Sequence, residues 1–154
     1  MRIEVDDPAR ADVTALLEEH LRNMRALSPP ESVHALDVSK LKRPDITFWT
    51  ARDEDGRLLG CGALRELDPT HGEIKSMRTP EAIRRRGAGR AILDRILKTA
   101  RARGYRRLSL ETGTLSAFEP AWALYRSVGF ADCPPFGDYQ PDPFSRCMTL
   151  VLAD

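Results

Sequence analysis

The residues with the clearest chemical signature are Arg84-Arg85-Arg86-Gly87-Ala88-Gly89-Arg90, set between a strand pattern and a long helix pattern. The first turn of a helix offers unpaired backbone N–H groups and the positive end of the helix dipole. Glycine lets a phosphate come close to those N–H groups, and flanking arginines add charge-assisted hydrogen bonds. The segment therefore reads as a pyrophosphate cradle. It is not a Walker loop, because no Gly-Lys-Ser/Thr follows. Nor is it the dinucleotide-binding fingerprint, because the third glycine is missing. On spacing alone, a tight strand-to-helix turn with no ligand is the competing reading.

Charge points the same way. The 154-residue chain has a formal net charge of +1, yet residues 84–107 hold ten Lys/Arg against one acid, Asp94. A basic block inside a nearly neutral protein suggests a local anionic ligand more than a nucleic-acid coat, with a solvated helix face as the plain alternative. The length suits one domain over residues 1–154 with its own core. A composition of 42% hydrophobic and 31% charged residues is that of a globular chain. No apolar run is long enough for a bilayer, and MRIEVDDPAR lacks the apolar stretch of a secretion signal. Cys61, Cys133 and Cys147 lie far apart in sequence, without a C-x-x-C pair. These features predict a cytoplasmic protein with no bound metal and no membrane partner.

The elements that must position the cradle follow from periodicity. Residues 2–5 alternate as a short strand, and Val13, Leu16, Leu17, Leu21 and Met24 fall at helical spacing within 8–27, which Pro29-Pro30 stops. Residues 31–43 read as a short helix or ordered loop. Residues 46–51 and 58–67 form a hairpin across the turn 53–56, and 73–78 is a further strand. After Gly89, Ile92, Leu93, Ile96, Leu97 and Ala100 make one apolar helix stripe that Gly104 ends. Residues 107–111 give a strand, 120–128 a helix stopped by Gly129, and 148–152 a closing strand. The order is α/β with a central sheet.

With the loop in that setting, Arg84-x-x-Gly87-x-Gly89 after Met77-Arg78 resembles the coenzyme A signature of the GNAT N-acetyltransferase superfamily. A second segment, Ala121-Trp-Ala-Leu124-Tyr125-Arg-Ser-Val-Gly129-Phe130, is similar to that family's Ala-x-x-Leu-Tyr-x-x-x-Gly-Phe helix and turn. Together they cover roughly residues 45–152. The segments 28–36, 45–49, 71–79 and 108–113 are similar to one bacterial subgroup, the YsnE-like acetyltransferases. The resemblance implies a single-domain GNAT-like fold: a mixed, mostly antiparallel central sheet splayed in the middle, with helices on both faces. It also implies acetyl-CoA as co-substrate and a primary amine of a small molecule or peptide as acceptor, in a monomer or homodimer.

Acetyl transfer needs a held donor, a deprotonated amine, a stabilised thioester oxygen and a protonated leaving thiolate. The resemblance places the donor on backbone groups of Met77, Arg78 and Thr79 and on the N–H groups from Arg84 to Arg90, with an oxyanion donor near Met77. It makes Tyr125 the acid, since a phenol of ordinary pKa about 10 is protonated at neutral pH. For the base, Glu73 stands fourteen residues before Gly87, the offset of a catalytic Glu in the histone-type branch of the superfamily. Alternation predicts Glu73, Lys75 and Met77 on one strand face. Glu111 on the next strand is the rival, as base or as anchor for a cationic acceptor. Arg78 and His34 are further acceptor-binding candidates, and His71 could titrate near neutrality. One position departs from the family: Phe118 stands where an Asn often helps hold the coenzyme, with Ser116 or Thr114 as substitutes.

Two other readings use the same residues. A GNAT domain could bind an acyl-CoA without turnover. The segment 84–107 could bind nucleic acid, although Tyr105 is its one aromatic and no helix-turn-helix or zinc pattern is present. The acceptor pocket is expected between loops 28–45 and 133–146.

Overall fold

The computed structural model describes residues 1–33, 38–80 and 87–152. Seven strands are present: β1 (Arg2–Val5), β2 (Ile46–Arg52), β3 (Leu58–Asp68), β4 (His71–Arg78), β5 (Arg107–Thr112), β6 (Ala131–Cys133) and β7 (Arg146–Val151). They form one open sheet in the order β1-β2-β3-β4-β5-β7-β6. Every neighbouring pair is antiparallel except β4 and β5, which are parallel and joined by a crossover through a helix. The helices are α1 (Ala11–Leu27), α2 (Val38–Leu41), α3 (Ala88–Ala102) and α4 (Glu119–Ser127).

The two sheet faces bury different helices. Val13, Leu16 and Leu17 of α1 pack with Leu41, Phe48, Leu58, Cys61 and Ala63. On the opposite face the predicted stripe of α3, Ile92, Leu93, Ile96, Leu97 and Ala100, packs with Trp49, Leu64, Ile74, Leu108, Leu110 and Met148. Helix α4 joins that core through Tyr125, Ala121, Trp122 and Leu124.

Helix α1 starts at Ala11 rather than Pro8, because the Asp7 carboxylate accepts the Ala9 N–H at 2.8 Å and holds residues 7–10 as a turn. Residues 31–43 resolve into a 3-10 turn (Pro30–Ser32) and the one-turn α2. Strand β6 has no counterpart among the elements expected from periodicity. At three residues it carries no readable alternation, and pairing to β7 defines it.

The feature that positions the site is the separation of β4 from β5. Their ladder runs from His71↔Arg107 to Ile74↔Leu110 and stops there. Residues 75–78 of β4 keep only β3 as a neighbour, and that pairing is bulged: Ala63 opposes Lys75 while Cys61 opposes Arg78. Ser76 sits at the bulge with φ 55°, a rare conformation for a residue with a side chain. The extra residue breaks the alternation. Glu73 and Lys75 share a face as expected, but Met77 is turned to the α3 core, where its sulfur and Ile92 fill the space beside Gly62. A Cβ on Gly62 would lie 2.5 Å from that sulfur, so the bulge requires glycine there.

Candidate active site

On the α3 side of the splay, Gly87 caps the helix in the left-handed region at φ 81°. Its carbonyl accepts the Ala91 N–H at 3.0 Å. The N–H groups of Ala88, Gly89 and Arg90 therefore precede the first helical acceptor, and no side chain caps them. A Cβ on Gly89 would stand 3.6 Å from Leu124, an ordinary contact, so packing within the protein does not demand glycine there. The Arg90 side chain pairs with Asp94 at 3.0 Å along the exposed helix face. Arg84, Arg85 and Arg86 lie outside the described residues. Two further basic side chains of this segment reach other elements: Arg95 donates to the Ile3 carbonyl and Arg103 to Thr47.

Tyr125 is buried on the same face, its ring edge-on to Phe130 at 5.6 Å. Burial pushes its phenol well above the ordinary range, so the hydroxyl keeps its proton at neutral pH. Trp122 of α4 donates to Thr112 Oγ1 at 2.8 Å, tying this helix to the end of β5. Phe118, at the position where the family often has Asn, is buried against Gly113, where any Cβ would clash with its ring. It anchors the 3-10 turn (Ser116–Phe118) that leads into α4.

The α1 side of the same strands is polar. Glu73 is buried, and its Oε2 accepts from Lys75 Nζ at 3.1 Å and from the Tyr139 hydroxyl at 2.5 Å. Lys75 also donates to Tyr139 Oη at 2.9 Å, closing a triangle. Glu111, one residue past the last β4–β5 rung, accepts a single bond from Ser145 Oγ at 2.7 Å. Desolvation pushes its carboxyl up to about 7, against the lowering effect of Ser145 and Lys75. Tyr139 and Ser145 both come from the loop between β6 and β7. Thr114 holds that loop through the Pro143 carbonyl at 2.9 Å, and Ser32 through Asp142 at 2.5 Å.

Arg78 points to this face. Its guanidinium is 8% exposed and donates to Glu19 of α1 at 2.8 Å. Met77 and Thr79 flank it, so the backbone from 75 onward is free of β5 while the Arg78 side chain serves the α1 side. His34 lies outside the described residues. His71 is engaged by Ser109 at 2.7 Å and by the Phe136 ring, a structural role. Cys133 and Cys147, distant in sequence, are opposite each other on β6 and β7, both as free thiols. Among the described residues no group of three or more His, Cys, Asp or Glu side chains could hold a metal ion, and no helix is long and apolar enough to cross a membrane. Periodicity did not single out Glu19, His20, Tyr139 or Ser145. The last two come from the loop expected to line the pocket, but their partners are 66 and 34 residues away.

Comparison with known proteins agrees with this geometry. The acetyltransferase (GNAT) family matches residues 13–130. YsnE of Bacillus subtilis, described as an uncharacterized N-acetyltransferase, is 53% identical over 99% of this chain and 100% of its own. A Klebsiella pneumoniae protein assigned as an acyl-CoA N-acyltransferase superposes with a TM-score of 0.83 at 28% identity, covering 99% of this chain and 97% of that one. Rv2747 of Mycobacterium tuberculosis, solved with CoA, shares the fold at a TM-score of 0.67 and 22% identity, covering 99% of this chain and 100% of its own. The chain belongs to the GNAT acetyltransferase family and is an acyltransferase, with acetyl-CoA as co-substrate.

Proposed function

We propose that this GNAT acetyltransferase moves an acetyl group directly from acetyl-CoA to a primary amine of a small molecule or peptide. The observation that carries the reading is the interrupted β4–β5 ladder: uncapped helix N–H groups lie on one side of it and a lone desolvated carboxylate on the other. The residues fit the donor. The N–H groups of Ala88, Gly89 and Arg90 would take pyrophosphate oxygens, with Arg84, Arg85 and Arg86 adjacent in sequence. The backbone of Met77, Arg78 and Thr79, on the edge that has left β5, would hold the pantetheine arm, and an N–H near Met77 would support the thioester oxygen.

Two carboxylates compete for the base. Glu73 is tied to Lys75 and Tyr139. Glu111 has one hydroxyl donor and is poised near neutrality, which supports Glu111 as the group that takes the ammonium proton. The amine nitrogen then bonds to the thioester carbon, the C–S bond breaks, and Tyr125 gives its proton to the leaving sulfur. Glu73 keeps Lys75 and the loop in place.

Stabilisation by acetyl-CoA in a melting experiment, followed by thiol release across an amine panel, tests the reading. Binding with release to at least one amine is expected. Stabilisation with no release to any amine would favour a coenzyme-binding domain without turnover.

A further inference from the structure

Three side-chain atoms among the described residues are buried with no hydrogen-bond partner: His20 Nδ1, Ser76 Oγ and Arg78 Nε. His20 lies on α1 within charge reach of Arg78 and Glu19, and Ser76 and Arg78 lie on the splayed half of β4 that packs beside it. Unpaired buried polar atoms cost stability, and native structures hold few of them. Three on one seam, beside the reaction centre, mark groups that wait for a partner.

Their chemistry defines that partner. Arg78 uses Nη2 on Glu19, its Nη groups also donate to the side-chain amide oxygen of Asn23, and its Nε–H is left unused. Glu19, on the side of α1 that meets β4, is 32% exposed and is the carboxylate that a ligand would exchange for. Ser76 offers a hydroxyl from the bulge, where β4 has already left β5. Burial and the Arg78 charge push His20 down to about 4, so it is neutral and keeps one ring N–H to donate. A guanidinium edge, a hydroxyl and an imidazole N–H are together a receptor for paired oxygens of one negative charge.

We infer that the α1–β4 seam is a carboxylate subsite formed by Arg78, Ser76 and His20, and that the acceptor carries both an amine and a carboxylate. This rests on the acetyl-transfer reading. The subsite lies on the same sheet face as Glu111, across the splay from it, so one molecule can present its amine to Glu111 and its carboxylate to Arg78.

The test is a melting experiment on the CoA-loaded protein with two matched pools at millimolar concentration: amino acids with their N-acetyl derivatives, and the corresponding amines lacking the carboxylate. The carboxylate pool should raise Tm and the amine pool should not. Arg78→Gln should abolish the response. His20→Phe keeps Arg78 and Glu19 and replaces an unpaired polar group by an apolar ring. It should hold or raise the Tm of the unliganded protein while shifting the carboxylate response to at least about tenfold higher concentration. In turnover, carboxylate-bearing members should exceed their decarboxylated partners by at least about tenfold in kcat/KM, and Arg78→Gln should lose this through KM. Equal responses to the two pools, no response to the carboxylate pool, or a wild-type response in both variants would overturn the subsite. Failure of CoA itself to bind would instead sink the acetyl-transfer reading, and the same pools then test the subsite on the unliganded protein.

Discussion

At the splay, the α3/α4 face of the sheet presents Met77, Ile74, Leu110 and a buried Tyr125, with bare helix N–H groups at its rim. The same strands, one residue out of phase, present Glu73, Lys75, Arg78 and Glu111 to the α1 face, under a loop that adds Tyr139 and Ser145. One face is apolar and offers backbone N–H groups at its rim. The other is charged and offers side chains. The difference teaches where specificity can reside: backbone N–H groups serve any acyl-CoA alike, whereas paired carboxylates and a buried arginine discriminate among acceptors.

The division between faces can be broken most severely at the cradle. Gly89→Glu places a negative charge where phosphate oxygens must sit, and coenzyme affinity should fall by about a hundredfold or more. Because among the described residues only Leu124 comes within 4 Å of a Cβ there, the unliganded protein should melt close to wild type. Stabilisation by CoA equal to wild type would move the cradle elsewhere.

The next largest effect is expected on the charged face, in stability. Glu73→Gln leaves Lys75 buried without its carboxylate, a change that typically costs about 3–5 kcal/mol. A denaturant midpoint unchanged from wild type would show that the triangle is not a structural brace. Its residual activity should keep the wild-type acidic limb. A flattened limb would return the role of base to Glu73.

Tyr125→Phe should lower kcat by about a hundredfold, the low end for general acid catalysis because water can partly substitute, with coenzyme affinity retained. Unchanged turnover in a chemistry-limited assay would remove Tyr125 from the mechanism.

The smallest effect is the most diagnostic. Desolvation pushes the Glu111 carboxyl up to about 7 from its ordinary value of 4.5, so between these values the folded protein binds more protons than the unfolded chain. Stability contributed by this group is therefore lost as pH rises through that window, by on the order of 3 kcal/mol. Glu111→Gln should remove that slope and be relatively more stable at pH 8 than at pH 5. It should also erase the limb of kcat/KM near pH 7. A variant melting with the wild-type pH dependence would place the ionisation elsewhere.

What was legible divides along the same two faces. Gly87, Gly89 and the apolar stripe of α3 are local patterns: a left-handed cap, a helix period and a basic flank all fall within about twenty residues. The Leu-Tyr helix was equally local. The sequence could name Glu73 and Glu111 but could not rank them, because their environments come from Tyr139 and Ser145 on a distant loop. Alternation even misplaced Met77, since nothing in His71–Arg78 announces that Ser76 will take a positive φ.

The sequence by itself determined most of the elements and the glycine cap that opens α3, because capping, periodicity and glycine freedom act over a few bonds. Only the tertiary structure decided which carboxylate has a single hydroxyl donor, which is locked to a lysine, and that Arg78 turns toward α1. Those outcomes depend on desolvation and on pairings 34 to 66 residues apart in the chain, which exist only once the sheet and its covering loop have come together.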